Sequence, residues 1–149
     1  MYIMRVVCEY VWLGGNNEFR CKSKVIIIDT PPVQNTQQQQ QPAQLSVNDL
    51  PLWDYDGSST GQANTESAEV VLKPVAMFRD PFKGTGNCFL VWCETRRPDD
   101  NSTLQNSNRE WANKIFEAVE ADQSSQTTEP WFGIEQEYFI MDKDTGKPL

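Results

Sequence analysis

Over residues 6–13 apolar and polar side chains alternate with the two-residue period of a half-buried strand. Gly14-Gly15-Asn16-Asn17 supplies a hairpin turn, and residues 19–29 return as a second strand whose β-branched core is Val25-Ile26-Ile27-Ile28. Two more strands are predicted, one within 68–82 and one over 88–95, separated by the turn Lys83-Gly84-Thr85-Gly86-Asn87. That turn has neither the length nor the Lys-Ser/Thr ending of a phosphate-cradling loop, so it predicts no nucleotide role. Further on the period lengthens: Trp111, Ile115, Ala118 and Val119 fall on one helical face and predict a core-facing helix, and Ser107 and Glu110 have the spacing of a capping box before it. Residues 131–141 are again apolar and aromatic and predict a strand; Asp142-Lys143-Asp144-Thr145-Gly146 predicts a turn into another.

Two polar stretches interrupt this pattern. Residues 30–48 contain Pro31-Pro32, the run Gln37 to Gln41 and Pro42. Such a tract buries too little apolar surface to offset its ordering entropy, and it reads as a disordered surface insertion. Residues 96–107 form a polar connection and the best place for a domain boundary. Strands followed by a helix and a further strand make the fold class α+β.

Within the last predicted strand, Glu135 and Glu137 stand two apart. Strand side chains alternate faces, so both carboxylates point the same way, roughly 6.5–7 Å apart. Like charges side by side on a half-buried surface repel and are costly to desolvate. A hard divalent cation, Mg²⁺ or Mn²⁺, suits such an oxygen-only pair; a solvated edge strand fits the same pattern. The second acidic feature is the hydroxyl-rich loop Trp53-Asp54-Tyr55-Asp56-Gly57-Ser58-Ser59-Thr60. Asp56 suits either chemistry or the capping of backbone N–H groups in its own turn.

Composition removes other classes. The chain has 149 residues and a net charge of −8, with no basic stripe for nucleic acid. No apolar run approaches the ~18 residues of a membrane span, and the start lacks the basic region and cleavage site of a signal peptide, so a cytoplasmic location is expected. Asn101-Ser102-Thr103 matches a glycosylation acceptor, which without secretion is accidental. The four cysteines, Cys8, Cys21, Cys88 and Cys93, include no Cys-x-x-Cys pair, and the chain has 0 histidines. That leaves no zinc-finger spacing and no Ser-His or Cys-His catalytic pair; the cysteines are expected to be reduced core residues.

Taken together, the Asp56 loop, the 70–82 stretch that follows it and the Glu135–Glu137 stretch, in this order, resemble glutamine synthetase of the eukaryotic type. Supporting matches are Glu9-Tyr10-Val11-Trp12, Arg20-Cys21-Lys22-Ser23-Lys24, Arg96-Arg97-Pro98 and Pro130-Trp131-Phe132-Gly133. The resemblance covers nearly the whole chain except 30–48, which would be an expanded connection. It implies a β-grasp N-terminal domain over 1–98, followed over 99–149 by the opening of a larger, incomplete catalytic α/β domain. The chain would then be the N-terminal portion of a longer enzyme, inactive by itself, since most of the ATP and glutamate sites would lie elsewhere.

The implied reaction is ATP-dependent joining of glutamate and ammonia through a γ-glutamyl phosphate. By resemblance Glu135 and Glu137 are metal ligands, with Glu135 also near the nucleotide phosphates, and Asp56 is the catalytic aspartate that binds ammonium and takes its proton. Asp54 and Ser58 would shape the loop, and Trp131 is either core or close to the nucleotide. The resemblance further implies a homo-oligomer with active sites between subunits. A second class of reading is a non-catalytic β-grasp module that docks onto complete subunits.

Overall fold

A computed structural model describes residues 2–30, 45–84, 86–104, 108–121 and 131–149, with backbone alone at 2, 29 and 30. Of the expected insertion at 30–48, residues 31–44 lie outside the described residues, as does Ser107 of the expected capping box; residues 45–48 are not disordered as expected, since Leu45 and Val47 pack against the core. Five strands form one mixed sheet: β1 (Tyr2–Leu13), β2 (Phe19–Thr30), β3 (Trp53–Asp56), β4 (Glu69–Arg79) and β5 (Cys88–Arg96). Their order is β2-β1-β5-β4-β3. β1 and β5 are parallel and the other pairs antiparallel. The single α-helix among the described residues, α1, spans Asn108–Ala121. A mixed sheet with one helix is consistent with a β-grasp-like domain.

The predicted alternation sets the sheet's two faces. Val6, Cys8, Tyr10 and Trp12 of β1 and Phe89, Val91 and Cys93 of β5 are buried on one side. Chain from Leu45 to Tyr55 crosses that side: Leu50 joins the core, and Leu45, Val47, Trp53 and Tyr55 pack against it. The Tyr10 hydroxyl donates to the Pro51 carbonyl at 2.8 Å, so this buried phenol keeps a partner. On the opposite face Ile3, Phe19, Val25, Ile27 and Phe78 are exposed. Pro74 falls inside β4, where a missing N–H would break a ladder. Its position explains the tolerance: β3 pairs with β4 only as far as Leu72, and the register to β5 shifts between Pro74 and Ala76.

Several expectations change here. β3 was expected to be loop; its four residues pair with Glu69 to Leu72, turning Trp53 and Tyr55 inward and Asp54 and Asp56 outward. Residues 131–140 were expected to be a strand, but they carry no strand pairing and every one is exposed; only Met141 bridges, to Pro148. Apolar alternation creates the tendency, yet a strand exists only where a neighbour takes its backbone groups, and among the described residues the one backbone group that does so is the Leu149 N–H, at the Ile140 carbonyl (2.9 Å). The helix forms where predicted, but its apolar stripe is not buried: Trp111 is 68% and Ile115 61% exposed. Periodicity specifies a helix and its apolar side, not an element to cover it. All four cysteines are free, as expected, but Cys21 is exposed rather than core-facing.

The chain divides into two compact units, Met1–Ala112 and Asn113–Leu149. In the first, buried Glu94 binds Arg96 at 2.8 Å and Arg109, in the first turn of α1, at 2.7 Å, tying the helix start to β5. In the second, Phe116 meets Phe132 edge-on with ring centroids 6.4 Å apart.

Candidate functional site

Asp56 is the last residue of β3 and the N-cap of a short 3-10 turn, Gly57–Thr60. Its Oδ1 accepts from the Ser58 N–H at 2.9 Å and the Ser58 hydroxyl at 2.6 Å, and the Ser59 hydroxyl donates to its carbonyl at 2.8 Å. The capping expected of an Asp-Gly-Ser sequence is therefore real. It does not consume the carboxylate, because both Ser58 bonds fall on Oδ1; the Ser59 N–H adds a weaker stabilising contact to the carboxyl group. The Ser58 hydroxyl and then its N–H stabilise the charged form and hold the carboxyl below the usual aspartate range. Ser58 thus shapes the loop as expected. Asp54 contributes through its backbone, its carbonyl accepting from Lys22 Nζ at 2.6 Å.

The loop is anchored on three sides. The Gly57 N–H donates to Ala68 at the approach to β4 (2.6 Å), and the Gly15 N–H of the β1–β2 turn donates to the Thr60 carbonyl (2.9 Å). Both contacts use glycine for close approach: a Cβ on Gly57 would lie 2.5 Å from Val70, and one on Gly15 2.7 Å from the Thr60 carbonyl oxygen. The third anchor is Gln62. Its Nε2 donates to the Leu13 carbonyl at 3.0 Å, and its Oε1 accepts from the Tyr55 hydroxyl at 2.6 Å and the Thr60 hydroxyl at 2.9 Å. Burial pushes the Tyr55 phenol up to about 12, so it remains a donor throughout the neutral range. Sequence reading missed Gln62, since one polar residue in a Gly/Ser/Asn-rich stretch carries no periodic signal.

Glu135 and Glu137 lie in the second unit, exposed, on the unpaired backbone of 131–140. Neither carboxylate has a hydrogen bond or ion pair among the described residues, and Trp131 beside them is 92% exposed rather than core. As donors they fit Mg²⁺ or Mn²⁺ in kind, because such ions use one or two carboxylates and complete their shell with water and phosphate oxygens. A full protein cage is not present: no group of three or more His, Cys, Asp or Glu comes together among the described residues.

No protein-family model matches the chain. Individual proteins do. The chain is 42% identical over 149 residues, 99% of its length, to "Glutamine synthetase, chloroplastic" of Zea mays. It is 40% identical over 97% of its length to "Glutamine synthetase leaf isozyme, chloroplastic" of Hordeum vulgare, and 39% identical over 97% to "Glutamine synthetase root isozyme 3" of Zea mays. The chain is homologous to the N-terminal portion of glutamine synthetases. It spans about a third of the length of these curated relatives: 30%, 29% and 35% respectively. The glutamine synthetase relationship does not carry the cytoplasmic expectation with it, since two of these three relatives are named chloroplastic. No helix among the described residues is long and apolar enough to cross a membrane.

Proposed function

We propose that this chain is the N-terminal portion of an ATP-dependent glutamate–ammonia ligase, with a β-grasp domain carrying Asp56 and the opening of the catalytic domain carrying Glu135 and Glu137. The observation that carries the reading is the match, along nearly the whole chain, to proteins named glutamine synthetase. The substrates are glutamate, ammonia and ATP. The glutamate side-chain carboxylate takes the γ-phosphoryl group of ATP, and ammonia then displaces phosphate from the acyl carbon to give glutamine.

Asp56 serves the second half of this reaction. Its carboxyl, held low by Ser58, is ionised at neutral pH, and since both Ser58 bonds fall on Oδ1, Oδ2 is the oxygen with lone pairs left for a cation. A carboxylate held low attracts NH₄⁺ well but is a weak base towards it, because an ammonium ion is a far weaker acid than a carboxylic acid. Binding and orienting ammonium is therefore its main contribution: one proton leaves NH₄⁺ to free the lone pair before the nitrogen attacks, and a second is lost from the adduct, whose nitrogen is less basic, as the bond to phosphate breaks. Glu135 and Glu137 would hold Mg²⁺ or Mn²⁺, Glu135 also facing the nucleotide phosphates. A cation there supplies charge neutralisation for phosphoryl transfer. The protein works as a homo-oligomer in which the Asp56 loop serves a neighbouring subunit's site.

Asp56→Ala in the full-length enzyme tests the assignment. Ammonium-dependent kcat/KM should fall by roughly 10²–10⁴, with KM for glutamate and ATP little changed. An unchanged ammonium dependence would reduce Asp56 to a loop cap.

A further inference from the structure

We infer that Gln62 is the positioning residue for Asp56, fixing the loop against the end of β1 and so setting where the carboxylate stands. For catalysis the inference rests on the ammonium reading above; for geometry it stands alone.

Most hydrogen bonds around Asp56 are internal to the loop. Ser58 and Ser59 bond back to Asp56, and the Thr60 hydroxyl donates to the Gly57 carbonyl at 3.1 Å. Such bonds fix the shape of a turn, not its position on the sheet. Three bonds described above leave it: from the Gly57 N–H, to the Thr60 carbonyl and from Gln62 Nε2. Only the last is made by a side chain, and it spans 49 positions in sequence. The Leu13 carbonyl can only accept and the Tyr55 hydroxyl donates, so the amide has one satisfactory orientation, with the Thr60 hydroxyl sharing its one proton between Gln62 Oε1 and the Gly57 carbonyl. Its backbone N–H also returns to the Gly57 carbonyl at 2.9 Å, closing the turn.

One amide thereby joins the end of β1, the inward-facing residue before Asp56, and the buried threonine of the turn. Tyr55 is itself held by its ring, whose centroid lies 4.6 Å from that of Trp12. No other side chain replaces this set of bonds. Methionine matches the length but takes away the Leu13 carbonyl's donor and the Tyr55 hydroxyl's acceptor, while the Thr60 hydroxyl keeps the Gly57 carbonyl. Glutamate keeps the two acceptor bonds and sets a charge against the Leu13 carbonyl.

The test is amide hydrogen exchange in the 149-residue chain, read at Ser58, whose N–H reports Asp56, and at Gly15, whose N–H reports the docked loop. Gln62→Met should speed exchange at both by tenfold or more while the β1–β5 ladder amides keep wild-type protection. Gln62→Glu should give a smaller acceleration at the same two sites, and it decides the matter if the methionine variant also loosens the ladder. Unchanged exchange at Ser58 and Gly15 in a folded variant overturns the inference. In the full-length enzyme Gln62→Met should raise KM for ammonium and leave KM for glutamate and ATP unchanged. Faster exchange with an unchanged ammonium KM would uphold the positioning role and overturn the ammonium role of Asp56, so the two failures are separable.

Discussion

Asp56 stands at the end of a paired strand, its carboxylate bonded to Ser58 and its loop held to β1 by Gln62, whereas Glu135 and Glu137 stand on exposed backbone that pairs with no strand among the described residues. Both are acidic features in aromatic surroundings. They differ in whether the partners that define them are present. The hydrogen bonds and close contacts described for the Asp56 loop come from residues 12 to 70, all within the first unit. The Glu135–Glu137 stretch has the composition of a strand and no strand pairing among the described residues. Local sequence can fix a turn; it can only propose a strand.

That contrast yields a stability experiment with opposite outcomes for two apolar deletions. Leu72 is fully buried beside β3, while Ile134 is 95% exposed. Leu72→Ala should cost about 2–5 kcal/mol by lost transfer energy and the cavity left behind. Ile134→Ala should change stability by less than about 0.5 kcal/mol. Denaturant unfolding of the chain measures both, and a large loss at Ile134 would show that the 131–140 segment is packed after all.

A smaller effect sharpens the Asp56 side. Because Ser58 stabilises the charged form, the Asp56 midpoint should lie below the ordinary value of about 3.9. The linked stability is present above the unfolded-state pKa and lost as pH falls through the lower folded value. Ser58→Ala removes the hydroxyl bond but keeps the N–H bond, so the midpoint should rise part of the way towards the ordinary one. Carboxyl NMR titration reads it; a midpoint unaffected by Ser58→Ala would remove the hydroxyl as the main cause.

Much of the first unit was legible in the sequence. β1, β2, β4, β5 and α1 formed where alternation or helical period placed them, because each has a sustained pattern bounded by turn residues. β3 was harder: with only four residues its alternation, Trp53 and Tyr55 in, Asp54 and Asp56 out, is masked by turn-forming neighbours. The Asp56 loop was visible as a candidate from its residue types, but its anchor was not. Gln62 acts through Leu13, Tyr55 and Thr60, and no pattern along the chain announces that contact. The stripe of α1 and the 131–140 segment show the opposite limit, since amphipathic sequence states which side is apolar without supplying what covers it.

The central claim is that Asp56 and the Glu135–Glu137 pair serve one glutamine-forming site, met from two subunits. Subunit mixing in the full-length enzyme tests it most directly, with Asp56→Ala in one subunit type and Glu137→Gln in the other. Each homogeneous mutant should be nearly inactive, and co-assembled oligomers should regain part of the glutamine synthesis that both lack. No recovery, in oligomers shown to contain both subunit types, would contradict the shared site and leave Asp56 to its own subunit or to capping its loop.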